Sequence, residues 1–552
     1  MGSMELISSL RKFGTNSFLY RSQNTILSAA FILAIASGAN AVLGLIKNRL
    51  LAGYFGISPE LTVFFTAEKI PNMIYAILVV GAISTILIPV LSGDLEKNKE
   101  KAYESASVVI TGIFFVFLIM ATIFFILAPQ IINLLSVGKF SGYENHLGTT
   151  LFRLMVGAQL ILIAGSMVSS LLQSHKKFIF PALAPLLYNV GMILGIIIFS
   201  NKLGIFGPAF GVLIGAVLHL SIQLPALAQT GFKFKPSLNL KNKTMIKTLG
   251  LIPPRIISVL TANIAGTIDN SFAILISDPS SIILRFANQL QSFPVNIFGI
   301  SLASASLPTL AAECSSEDRD KFKKTFITSL TQMVFLTAPL SAILLVLRVP
   351  AVRLVYGTPE FPWWATVTTA YTLAFYSLSI VPQSVNYLIT RAFYAQKDTL
   401  TPAIVHVATT LIYIGLTATL ILRAKYEVWV IAFTFSVTSY LDTFLLFYLL
   451  NRKVKGFDIE RISSSLTKIG YSTLLMGLAL YIPIKLLDQV IFDTAKTINL
   501  LMLTGIAGLF GMLTYLLLTK FFNVQEIELL YKVMRKLKFK TEQLPQDIKP
   551  TE

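Results

Sequence analysis

The sequence predicts an all-α polytopic membrane protein: fourteen transmembrane helices, arranged as two six-helix lobes in parallel repeat plus a C-terminal helix pair. Three observations predict it. The 552 residues are 54% hydrophobic and only 13% charged, with a mean hydropathy of +0.72, whereas soluble domains run near a quarter charged. Apolar runs long enough to cross a hydrocarbon core of roughly 30 Å as helices recur along almost the whole chain. One motif returns with a constant offset, as it would in two halves of like orientation.

Taken in order, the runs lie at 26–46, 63–92, 105–135, 148–173, 182–200, 204–229, 248–276, 280–311, 325–347, 364–390, 402–422, 427–451, 469–487 and 498–519. Residues 1–25 form an N-terminal segment, 26–229 a first lobe, 230–247 a basic linker and 248–451 a second lobe. Residues 469–519 hold the added pair, and 520–552 a basic amphipathic tail whose segment VQEIELLYKVMRKLKFK suits an inner membrane surface. The small-x-small triplet Ala39-Asn40-Ala41 invites a signal-peptide reading. The first run is too long for an h-region and is followed by further spans, which favours a retained helix.

Of the 45 Lys and Arg residues, 31 fall in the N-terminus, the even-numbered connections and the tail, and ten fall in the opposite connections. Both termini are therefore expected to be cytoplasmic. Trp363, Trp364 and Trp429 all begin spans on the other side, where an aromatic belt is expected. The net charge of +18 then reports loops facing anionic lipid, and no basic patch with stacking aromatics points to nucleic acid. Cys314 is the single cysteine, and His146, His175, His219 and His406 are scattered, so the pattern shows no thiolate cluster or metal site.

Four cations remain inside the first twelve runs: Lys69, Arg153, Arg255 and Arg285. Each costs about 2.5–3.5 kcal/mol at a helix centre unless it meets water or a partner. Arg153 and Arg255 lie near run ends and can snorkel, whereas Lys69 and Arg285 are deeper. Glu68, Asp269 and Asp442 are the acidic residues away from run ends, and Glu68 or Asp269 could pair with the cations or bind a coupling ion. Polar stripes at helical spacing accompany them. They are Ser37, Asn40, Gly44 and Lys47, with Arg49 beyond; Lys69 and Asn72, beside Glu68 and Pro71; Asn263, Thr267 and Asn270, beside Asp269; and Arg285, Asn288, Gln289, Ser292 and Asn296 around Pro294. Four such stripes suggest one aqueous cavity.

The second run ends GAISTILIPVLS and the eighth ends GISLASASLPTLA, with Gly299 opening the latter. The proline offset, 308 − 89 = 219, fits two six-helix halves in the same orientation, a transporter architecture with the site between repeats.

Six ordered segments carry a family resemblance: VLGLIKNRLLAGYFG (42–56), KIPNMIYAILVVGAISTILIPVLS, QSHKKFIFPALAPLLYNVGMI (173–193), LIPPRIISVL, FANQLQSFPVNIFGISLASASLPTL and TRAFYAQKDTLTPAIV (390–405). They resemble the MurJ/MviN lipid II flippases of the MOP exporter superfamily, over spans one to twelve. The resemblance implies two six-helix lobes plus a terminal pair. It also implies movement of undecaprenyl-pyrophosphate-linked peptidoglycan precursor from the inner to the outer leaflet of the bacterial cytoplasmic membrane by alternating access. An arginine-lined cavity would take the headgroup, and a groove formed with the last two helices would take the tail.

The chain departs from the family pattern at charged positions. The first-helix arginine falls on Lys47, the acidic residue before the second helix on Thr62, the arginine within that helix at Tyr75 or Ala76, and the eighth-helix arginine on Gln289. Arg285 lies one turn before Gln289 and Lys69 two turns before Ala76, as though the cations had moved along their helices. Lys47, Arg49, Lys69 and Arg285 are accordingly expected to hold pyrophosphate, with Asn288, Gln289 and Asn296 on sugar or peptide groups. Arg255, Asn40 and Asn72 are secondary candidates, and Pro71, Pro294 and Gly299 are expected hinges. No cofactor is implied, although the membrane potential or a monovalent ion could drive the cycle; membrane lipids and cell-wall synthesis enzymes are the expected further partners. Rival readings are export of another lipid-linked oligosaccharide, cation-coupled drug export through Glu68 and Asp269, and a non-transporting cell-wall scaffold. A membrane glycosyltransferase or phosphatase would need clustered acids, histidines or a metal motif on a large loop, which the sequence lacks.

Overall fold

A computed structural model describes residues 26–77, 99–237, 263–315, 319–487 and 496–528. Arg255, the 230–247 linker beyond residue 237, the motif at 81–92 and the tail beyond 528 lie outside the described residues. Every described element is helical, and ten helices among the described residues are long and apolar enough to cross a membrane.

The chain forms two compact units. The first comprises residues 1–286, 355–366 and 421–428. Its helices are α1 (Ile26–Phe55), α2 (Pro59–Ala67), α3 (Lys69–Ala76), α4 (Lys99–Ile126), α5 (Ala128–Leu135), α6 (Gly142–Ser174), α7 (Ile179–Leu203), α8 (Phe206–Ser221) and α9 (Leu224–Ala228), followed by a helical stretch at 263–276. The second comprises 287–354, 367–420 and 429–552. It holds the C-terminal part of α10 (Asp278–Pro294), a π-helical turn (Val295–Ile300), α11 (Ser301–Ser315) and α12 (Arg319–Val346). After α13 (Arg348–Tyr356) and α14 (Trp363–Leu378) come α15 (Ile380–Ala395), α16 (Leu400–Leu422), α17 (Trp429–Lys453), α18 (Ile459–Leu487) and α19 (Thr497–Phe521).

Several apolar runs are two helices rather than one, and proline is the reason. Pro71, Pro129, Pro225, Pro350 and Pro382 each occupy the second or third position of the helix that follows a break. There the missing N–H costs nothing, while the ring obstructs the carbonyl four residues back. The second run accordingly breaks at Glu68, ahead of Pro71. The remaining ends are set by local polar chemistry: Ser141 and Glu144 form a reciprocal capping box that starts α6.

In the first unit, α7 and α8 pack through glycines, and a Cβ on Gly195 would come within 2.2 Å of the Gly211 Cα. Such contact lets backbones approach where burial between lipid-exposed helices supplies little drive. Gly56 ends α1 at φ +54°, and a Cβ there would meet the Glu360 carbonyl oxygen at 2.0 Å, so only glycine fits. In the second unit, α18 and α19 dock on α12, where the Tyr515 hydroxyl donates to the Phe335 carbonyl at 2.8 Å. Phe326 and Phe457 stack at 4.8 Å in the same core. The outward faces of α18 and α19 carry exposed Leu474, Leu478, Leu509, Leu513 and Leu517, a surface that water would penalise and lipid accepts.

Candidate functional site

The polar cluster of the first unit begins at the Glu68 break. Ending α2 there turns the Glu68 side chain to Arg285, the two forming an ion pair through Oε1 and Nη2. The pair is only partly shielded: 26% of the Arg285 side chain and 11% of that of Glu68 remain accessible, so the guanidinium still faces open space. Its carbon lies 4.1 Å from the centre of the Phe65 ring. Phe65 is itself edge-on to Phe286, which stacks on Tyr356 at 4.2 Å. This aromatic pile fixes the height of Arg285 on α10.

Lys69 follows Glu68 directly, and its ammonium donates to the Gly266 carbonyl at 3.1 Å. It lies within electrostatic reach of Arg285, Glu68 and Asp269, and Lys47 within reach of Glu68 and Arg285. The structure therefore gathers Lys47, Glu68, Lys69, Asp269 and Arg285 from four segments distant in sequence. Arg49, two residues past Lys47, turns elsewhere. It donates to the Val355 carbonyl at 3.1 Å and lines a separate cavity of about 470 Å³ with Tyr54, Asn201, Thr358 and Glu360.

Amide and hydroxyl pairs extend the cluster. Gln159 donates to Asn72 at 3.2 Å, Asn189 donates to Asn40 at 2.8 Å, and Tyr75 shares a 2.8 Å bond with Ser166. Asn270 donates to Thr66 and accepts from Ser281, while Thr62 donates to the Asp278 carbonyl. Sequence reasoning found Asn40, Asn72 and Asn270 but missed Asn189 and Gln159, which pair with the first two, and Ser166, which pairs with Tyr75. Gln159, Ser166 and Ser170 are buried at a seven- and four-residue spacing on α6, a polar stripe that the same periodicity test could have found.

The second unit carries its own polar face. Asn288 and Gln289 are half-buried and Asn296 is exposed. Ser292 donates to Asn288 at 3.3 Å, and the buried Gln291 donates to Ser379, as does Gln383. Pro294 ends α10 and the next six residues take π-helical form, with Gly299 buried against Ser384. Such local rewinding is a recognised cause of bends and frequent at functional sites. The unit also holds an apolar groove of about 960 Å³ between α12, α15, α17 and α18, lined by residues such as Val334, Val385, Phe447, Gly470 and Gly477.

Residues 51–499 match the family model of the lipid II flippase MurJ. The chain belongs to the MurJ family. A "Probable lipid II flippase MurJ" of Buchnera aphidicola is 25% identical over 515 residues, covering 92% of this chain and 99% of its own. The lipid II flippase MurJ of Thermosipho africanus is 26% identical over 459 residues, covering 83% and 91%. A solved MurJ structure in an inward closed conformation superposes with a TM-score of 0.75 at 25% identity, covering 89% of this chain and 98% of that one. An inward-facing multidrug MATE transporter of the MOP superfamily shares the fold, with a TM-score of 0.62 at 14% identity. MurJ proteins are transporters, so this is a multi-pass membrane transporter and not an enzyme, and drug export and scaffolding are not favoured.

Proposed function

We propose that the chain translocates undecaprenyl-pyrophosphate-linked peptidoglycan precursor from the inner to the outer leaflet of the bacterial cytoplasmic membrane, both termini lying in the cytoplasm. The observation that carries this reading is the gathering of Lys47, Lys69 and Arg285 within electrostatic reach of one another, with Arg285 partly accessible, in a chain of the lipid II flippase family. Charge-assisted bonds to phosphate oxygens are strong, and a cavity drier than bulk water strengthens them. Lys47, Lys69 and Arg285 hold the pyrophosphate; Arg49 faces a separate cavity and is left out of this cluster, and Arg255 stays a secondary candidate. Glu68 positions Arg285 while the cavity is empty. Asn288, Gln289 and Asn296 meet sugar or peptide groups. The apolar groove of the second unit takes the lipid tail.

The transporter has fourteen helices: lobes 26–229 and 248–451, and an added pair at 469–519. The repeat gains support from two loops of like construction. Lys176 and Lys397 both have left-handed backbones, at φ +57° and +58°. The next residue in each case donates back to a helical carbonyl, Lys177 to Leu172 and Asp398 to Phe393. A proline follows five residues after each lysine, with an offset of 402 − 181 = 221, close to the 219 of the other motif. Pro71, Pro294 and Gly299 permit bends within their own helices. No cofactor is needed, and enzymes that consume the flipped precursor are its natural partners.

Complementation tests the reading. Expression in a cell depleted of its own lipid II flippase restores growth and wall synthesis, and failure despite normal membrane levels would overturn it.

A further inference from the structure

Asp442 lies well inside α17, and the headgroup cavity gives it no role. A carboxylate within a membrane span marks a functional site by default. Three donors from two other helices surround it: Asn386 Nδ2 on α15 at 2.5 Å from Oδ2, His406 Nδ1 on α16 at 2.9 Å from Oδ2, and Thr409 Oγ1 on α16 at 3.0 Å from Oδ1. The Nδ1 contact sets the imidazole tautomer, leaving Nε2 as the open nitrogen. Thr390 Oγ1 on α15 lies 3.4 Å from Nε2 and 3.3 Å from Asn386 Oδ1.

The donor count decides what this arrangement is for. Thr390 has a single hydroxyl hydrogen, so with a neutral imidazole it can satisfy either His406 Nε2 or Asn386 Oδ1, but not both. Place a proton on Nε2 and His406, Thr390, Asn386 and Asp442 hydrogen-bond in one direction, with the Thr409 hydroxyl shared between Asp442 Oδ1 and the Val405 carbonyl. His406 donates to Thr390, Thr390 to Asn386, Asn386 to Asp442, and His406 to Asp442 from its other nitrogen. The ring closes through three helices. The same proton converts a lone negative charge within the span into a neutral ion pair, the cheaper state in apolar surroundings.

Among the described residues of the helices packed here, the other charges are held elsewhere or lie near helix ends. On α15, Arg391 stacks on Tyr394 at 5.8 Å; on α17, Arg452 stacks on Tyr448 at 4.9 Å and Lys453 pairs with Asp398, just before α16. On α11 and α12, which also pack on α15, Glu313 accepts from Thr325, while Arg319, Asp320, Lys321, Lys323 and Lys324 occupy the first turns of α12. About a third of the His406 side chain remains accessible, which gives a proton a route to Nε2.

We infer that His406, Asp442, Asn386 and Thr390 form a proton-binding site within the second unit, its ligand a single proton carried on His406 Nε2. It goes beyond the flippase reading, and its test needs no substrate. The full chain is labelled with ¹⁵N-histidine, placed in lipid nanodiscs and followed by NMR from pH 5 to pH 9. The His406→Gln variant assigns the His406 signal by its loss among the four histidines. The expected result is a His406 signal that titrates between neutral and doubly protonated forms, with a midpoint moved by at least about half a pH unit in Thr390→Val, which removes only the ring hydroxyl. Asp442→Asn moves it further. A His406 signal fixed in one form across the range, or a midpoint unmoved in both variants, overturns the proposal. The wild-type titration and the near-isosteric Thr390→Val keep the test sound even if Asp442→Asn folds poorly.

Discussion

The Glu68–Arg285 pair can be separated from its proposed work on the headgroup by a double-mutant cycle. Arg285→Ala strands a Glu68 carboxylate that is nearly buried, at a cost of about 3 kcal/mol, and removes the stacking on Phe65, about 1 kcal/mol more. Glu68→Ala strands a guanidinium that is one-quarter accessible and keeps its aromatic support, so it costs less, about 2 kcal/mol. Independent effects would sum to about 6 kcal/mol. A pair of this intermediate exposure couples by about 2 kcal/mol, so the double variant should cost about 4. Denaturant unfolding in mixed micelles reads the stabilities, and translocation of lipid II in proteoliposomes reads the function. If Arg285 also binds pyrophosphate, the double variant recovers stability relative to the sum but remains at least about tenfold slow, the worth of one charge-assisted bond. Additive stabilities would refute the ion pair. A double variant with normal translocation would refute a substrate role for Arg285.

Three further outcomes follow from particular contacts. Gly195→Ala drives a methyl into the Gly211 backbone and should cost about 2–3 kcal/mol as overpacking, read as a loss of unfolding midpoint with no partner change able to relieve it. Gly470→Trp enters open space at the wall of the apolar groove, since a Cβ there meets nothing within 4 Å; translocation should fall several-fold while stability stays within about 0.5 kcal/mol of the parent. Burial alone would raise the Asp398 carboxyl, but the Lys453 ammonium and the Thr401 N–H and hydroxyl outweigh it and hold it at about 2. A depressed carboxylate stabilises the fold above its unfolded value near 4 and loses that contribution only as pH falls toward 2. Asp398→Asn should therefore lower the unfolding midpoint by a constant amount between pH 5 and pH 8, worth about 1 kcal/mol once the partly exposed Lys453 is discounted.

The spans were legible because apolar runs report burial in lipid directly: runs at 402–422, 427–451 and 498–519 became Leu400–Leu422, Trp429–Lys453 and Thr497–Phe521. Hydropathy misses helical turns that leave the apolar layer. The thirteenth run starts at 469, yet its helix starts at Ile459, because Glu460, Arg461 and Ser463 to Ser465 are helical but polar. Nor does it see breaks inside an apolar run, although Pro71, Pro129 and Pro382 announced them. For the site, helical periodicity placed Lys47, Lys69 and Arg285 on polar faces. It could not place Arg49 in a different cavity, or choose Arg285 over Lys69 as the partner of Glu68, since partner choice depends on how helices pack across more than 200 residues of chain.

That choice of partner bears on energetics. With all five groups ionised, Lys47, Lys69 and Arg285 against Glu68 and Asp269 give 3 − 2 = +1 for the empty cluster. A pyrophosphate diester carrying about two negative charges turns the loaded cluster to about −1. An inside-negative potential pushes the loaded, negative cluster outward and draws the empty, positive one back, by as much as about 2.3 kcal/mol per charge per 100 mV when the whole field is crossed. On this reading the potential favours both halves of the cycle. Glu68→Gln makes the charges +2 empty and about 0 loaded, so the outward step loses its drive while the return gains. Translocation by this variant in proteoliposomes should rise less steeply with imposed potential than in the parent when outward movement limits the rate. An unchanged potential dependence would show that the cluster does not cross the field with its cargo.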